Sequence, residues 1–118
     1  MLNILFAVLM LLLSNQPAMA ENKDVEIFQG IISSAEGLPK YIYVNERRLL
    51  LDSNIDVRDQ KEKEALLSNL KSGKWVYIVS EKRSEGPTAL RIYILPKHIK
   101  DNEKHDYPFM KREEEPEE

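Results

Sequence analysis

Five short segments of this chain alternate apolar and polar residues with the period of a half-buried strand, and none is long enough to bury a core by itself. They are "VEIFQGII" (Val25–Ile32), "KYIYV" (Lys40–Val44), "RRLLLD" (Arg47–Asp52), "KWVYIVS" (Lys74–Ser80) and "TALRIYILP" (Thr88–Pro96). In the last of them Leu90, Ile92 and Ile94 share one face, and Arg91 and Tyr93 the other. Gly30 interrupts the first at a place where a long strand can bend or bulge. Turn-forming residues separate the segments: "SSAEGLP" from Ser33 to Pro39, the pair Asn45-Glu46, and "EKRSEGP" from Glu81 to Pro87.

One interval has a different period. In "DQKEKEALLSNLKSG", Leu66, Leu67 and Leu70 fall on one helical face, Asp59 stands where an N-cap belongs with Glu62 three residues on, and Gly73 supplies a stop. Asp59 and Lys63 add an i, i+4 pair. The pattern predicts one helix of about three turns between the third and fourth strands.

Five short strands in a flat sheet present two open edges, and closure into a barrel with a helix across one end removes them. With the mid-strand glycine of "FQGII", the hairpin "YIYVNERRLLLD", the helix "EALLSNLKSG" and the strands "KWVYIV" and "ALRIYIL", the chain resembles the OB-fold (oligonucleotide/oligosaccharide-binding fold). It looks like the small OB-type domains that bacteria export. The resemblance covers Val25 to Leu95 and implies a mainly β, five-stranded barrel of order β-β-β-α-β-β. It also implies a ligand groove across strands two and three, bordered by "SSAEGLP" and "EKRSEGP". An SH3-like barrel is the alternative, although that fold normally lacks a long helix at this place.

The first twenty residues read as a secretory signal: an apolar run from Ile4 to Leu13, then Pro17 and the small-residue pattern Ala18-Met19-Ala20. The run is well short of the ~20 residues that span a bilayer, so no stable membrane insertion is expected once the signal is cleaved. Cleavage after Ala20 divides the chain into a signal peptide (1–20), a barrel domain (21–96) and a tail (97–118). The tail has two prolines, no periodicity and an acidic close, which predicts disorder. With no cysteine anywhere, the domain has no disulfide and depends on packing alone. Export without cysteine suits a bacterial periplasm, and periplasmic or secreted is the expected location.

Charge narrows the partners. Residues 21–100 carry 14 Lys and Arg against 12 Asp and Glu, a balance of +2, whereas residues 101–118 carry 3 against 8, a balance of −5. A near-neutral domain has no field with which to capture nucleic acid, which is an unlikely partner on that ground. Catalysis finds little support either. The two histidines, His98 and His105, both fall in the tail, no Ser has a His within a folded element, and Asp52, Asp56 and Asp59 lack the spacing of a calcium loop. The expectation is a non-enzymatic protein without cofactor or metal.

The aromatic residues carry the binding hypothesis. With Ile42, Val44, Val76 and Ile78 inward, Tyr41, Tyr43, Trp75 and Tyr77 point outward, as do Tyr93 and Arg91 on the last strand. Together with Arg47 they make up the candidate ligand or partner surface, centred on strands two and three. Arg47 and Arg48 occupy adjacent positions and so face opposite ways. Three functions follow: an adaptor for an unknown periplasmic protein or small polar ligand, a module that stacks glycan or single-stranded nucleic acid on its aromatics, or an inhibitor or stress-related chaperone-like protein acting through its tail. Edman sequencing of the exported protein should begin at Glu21; a chain retaining Met1 would contradict the signal reading.

Overall fold

The structure, a computed structural model, describes residues 24–114. The signal peptide and the last residues of the tail lie outside the described residues. Strands β1 (Val25–Ser34), β2 (Tyr41–Val44), β3 (Arg47–Arg58), β4 (Trp75–Arg83) and β5 (Gly86–Leu95) close into a barrel in the order β1-β2-β3-β5-β4. The β3–β5 pair is parallel and the rest are antiparallel. Inward-facing Ile32, Ile42, Val44, Leu49, Val57, Val76, Ile78 and Ile92 fill the interior.

β1 serves two neighbours in succession. It pairs with β4 from Val25 to Ile31 and with β2 only from Ile32 onward. Gly30 stands at the handover, where an added Cβ would lie 2.5 Å from Val44 Cγ1 and 2.8 Å from Asn45 Nδ2. The glycine is required because the β2–β3 hairpin passes directly across it.

β3 runs further than its sequence pattern suggests. Asp52 Oδ2 accepts the Asn54 N–H at 2.9 Å, the register to β5 shifts between Leu51 and Asp56, and the strand then resumes. A second irregularity, between Val79 and Ser80 of β4, leaves Leu90 without a direct partner. Ala89 therefore enters the core with Ile92, and Leu90 does not share their face as expected.

The three-turn helix expected after β3 does not form. Asp59 caps a tight turn instead: its Oδ1 accepts the N–H of Lys61 at 2.8 Å and of Lys63 at 3.0 Å, which holds its carboxyl below the usual range. Glu62 lies in the left-handed region at φ 67°, which a right-handed helix excludes. Ala65 then donates to the Val57 carbonyl at 2.9 Å, so the chain folds back along β3. Local side-chain bonding has outcompeted the helix. What remains is a 3₁₀ turn at Leu67–Asn69, with Leu70 buried across one end of the barrel, Leu67 partly buried and Leu66 70% exposed.

The disorder expected from Lys97 onward is also corrected. A 3₁₀ helix (Asp101–Asp106) and a short helix α1 (Pro108–Glu114) follow β5. Ile99, Phe109 and Met110 are buried with Tyr77, Tyr93 and Leu95 in a second apolar cluster on the outside of the barrel. Phe109 stacks on Tyr93 at 3.9 Å with the rings 6° from parallel, and Tyr77 closes on it at 5.5 Å. The Gln29 side-chain amide pairs with the backbone of Ile99, donating through Nε2 and accepting through Oε1, each at 2.9 Å. One anchor in a link and two adjacent ones in a helix of seven residues are too few to make a repeat, which is why sequence pattern misses them. Phe109→Ala should lower unfolding stability by about 3 kcal/mol or more and flatten the near-ultraviolet dichroism while β signal persists. Urea titration followed by circular dichroism measures both.

Candidate binding face and barrel mouth

The segment from Ile99 to Met110, a C-terminal strap across the outside of the barrel, sorts the expected site residues into two groups. Tyr77 and Tyr93 are 0% and 1% exposed, so outward on this barrel does not mean free. Trp75 is half-buried with His98 against its ring at 5.1 Å. Arg91 Nε lies 3.3 Å from Asp56, which also receives Arg58 Nε at 3.0 Å on both oxygens. These four members of the expected surface belong to the wall under and beside the strap.

Tyr41 and Tyr43 remain outside the strap, Tyr43 exposed and Tyr41 half-buried with its ring against Gly37, and the arginine beside them is Arg48. In the hairpin register Tyr43 faces Arg48 and Val44 faces Arg47, and cross-strand partners share a face. The Arg48 guanidinium lies 5.8 Å from the centre of the Tyr41 ring, and the Tyr41 and Tyr43 rings meet edge to face at 6.0 Å. Arg47, expected on this strip, instead takes the inward phase of Val44 and Leu49 and emerges at the barrel mouth. The signal that identifies Arg48 is the loop length: a two-residue hairpin fixes Val44 opposite Arg47 and so Tyr43 opposite Arg48.

That hairpin is locked to β1. Asn45 and Glu46 have φ of 53° and 66°, the left-handed pair that a tight turn between strands demands. Asn45 Oδ1 accepts the Ile31 N–H at 3.1 Å, the Asn45 N–H donates to the Ile31 carbonyl at 2.9 Å, and the Glu46 N–H donates to Ser33 Oγ at 2.7 Å. Where one end of the barrel is closed by Leu70, the other opens as a pocket of about 250 Å³. Phe28, Val44 and Leu49 line it, and its charged residues are Arg47, Arg48 and Glu26.

A shallower hollow of about 520 Å³ lies between the loop at Pro39 and Lys40, β3 and the β4–β5 turn. Two of its charged side chains, Asp52 and Arg83, are paired with each other. Arg83 bonds Asp52 at 2.8 Å and Glu81 at 2.9 Å, and the Asn54 N–H, with Arg83 second, holds the Asp52 carboxyl below its usual range. Arg47 at the mouth makes no hydrogen bond or ion pair with any described residue. Among the described residues no three His, Asp or Glu side chains gather as a metal site needs.

Comparison with family models, with curated proteins and with solved structures gives no match for this chain.

Asn45→Ala removes the bond to Ile31 and leaves an alanine in the left-handed region, and it should cost about 1–2 kcal/mol. Amide exchange should accelerate first at Ile31, as read by hydrogen–deuterium exchange.

Proposed function

We propose that this chain is a non-catalytic, exported binding module of the OB type that engages a periplasmic protein partner or a small polar ligand on its β2–β3 side. Its strand order, its single parallel pair and the plug between β3 and β4 support the OB reading, in which strands two and three and the flanking loops form the binding face. One observation carries the choice of face. The strap covers the outer side of β1, β4 and β5, while Tyr41, Tyr43 and Arg48 adjoin an open mouth bearing Arg47.

The same observation weakens the stacking function. Of the five aromatics expected outward, Tyr41 and Tyr43 are the pair outside the strap, and their edge-to-face contact offers no pair of parallel planes for bases or sugar rings. It also alters the tail hypothesis, because residues 99 to 110 contribute side chains to the fold and their deletion would expose Tyr77 and Tyr93.

Tyr43→Ala combined with Arg48→Ala should abolish recovery of the specific species that co-purifies with the wild-type chain. Both side chains are exposed, so the thermal midpoint should move by no more than the equivalent of about 0.5 kcal/mol. Equal loss of stability and recovery would assign the pair a structural role. Unchanged recovery would place the binding face elsewhere.

A further inference from the structure

β1 has an unpaired edge beside the mouth arginines. On the β4 side, Ile32 donates to the Lys74 carbonyl at 2.9 Å and accepts from the Gly73 N–H at 2.8 Å, and the Glu26 carbonyl accepts Ser80 Oγ at 3.0 Å. Ile31 turns the other way and gives both its backbone groups to Asn45. Backbone groups alternate sides along a strand, so those of Gln29 and Ile27 also point away from β4. β2 does not reach them, because its pairing with β1 begins at Ile32 and Asn45 ends it at Ile31. Among the described residues these backbone donors and acceptors have no strand partner.

The pocket between this edge and the hairpin has an apolar floor at Phe28, Val44 and Leu49. Its charged lining is two arginines against one acid, Glu26. An extended peptide laid along β1 would satisfy Gln29 and Ile27 with its own backbone, drop alternate side chains onto that floor and bring carboxylates to Arg47 and Arg48. At ~3.3 Å per residue, the edge from Val25 to Gln29 accommodates about five residues of a partner strand.

We infer that the N-terminal half of β1 is a strand-addition site for an extended, carboxylate-bearing segment of a partner protein. This rests on the binding-module reading and specifies the partner's chemistry at the mouth of the same face.

The test uses the purified exported chain and a synthetic peptide that alternates glutamate and valine. In the free protein the Ile27 and Gln29 amides should exchange rapidly although they lie mid-strand, and saturating peptide should slow them about tenfold or more. N-methylation of the probe at alternate residues, which leaves every side chain in place, should abolish binding. Arg47→Glu with Arg48→Glu should weaken the unmodified probe about tenfold at low salt. Undiminished binding of the N-methylated probe overturns strand addition. Protection of both amides in the free protein also overturns it, because the edge is then already filled; deletion of residues 113–118 and sedimentation velocity distinguish this chain's acidic end from a second copy as the occupant. If Tyr43→Ala with Arg48→Ala still abolishes recovery of the co-purifying species while either of those results is obtained, the binding module stands and only the strand-addition site falls.

Discussion

The β2–β3 turn crosses β1 at Gly30 with no room for a side chain, and most of the architecture follows from that contact. Because the hairpin comes so close, Asn45 can take both backbone groups of Ile31, which sets where β1 stops pairing with β4 alone and starts pairing with β2. The handover closes the barrel. It also leaves the first half of β1 with one bonded edge, so closure at one point and an open mouth beside it have a common origin. The cost of the crossing is a turn with two residues in the left-handed region, one of them a glutamate, and the bonds to Ile31 and Ser33 offset it.

A second constraint acts on the opposite side. A barrel this small without disulfides has little apolar area to bury inside, and the chain adds a second cluster outside. The strap supplies Phe109, Met110 and Ile99, and the strands supply Tyr77 and Tyr93. Their positions are specified by a ring stack and by the Gln29 amide, two directional contacts that hold a segment made of a 3₁₀ helix and one short α-helix against the strands. One outer face of the barrel thereby becomes interior, with Tyr77 and Tyr93 buried beneath Phe109 and Met110.

Much of the strand framework was legible in the residues. Period-two alternation located all five strands, and Gly30 and the Asn45-Glu46 pair marked the bend and the tight turn. The candidate site was legible only in part. Tyr43 stays exposed and Tyr41 is half-buried against Gly37, and the arginine on their face is Arg48 and not Arg47, a register consequence readable from the two-residue loop. Leu66, Leu67 and Leu70 had helical spacing, yet Asp59 and Glu62 favoured a turn, because a carboxylate accepting two nearby N–H groups competes directly with helical bonds.

By itself, then, the sequence determined which residues alternate, where the chain turns and that packing must do without disulfides, since these are properties of neighbouring residues and composition. Only the tertiary structure decided which outward faces are free. Whether Tyr77 and Tyr93 meet water or Phe109 depends on a contact between residues more than a dozen positions apart, and no local period records it. The open edge of β1 has the same character: it exists because Asn45, arriving from another strand, stops the ladder at Ile31.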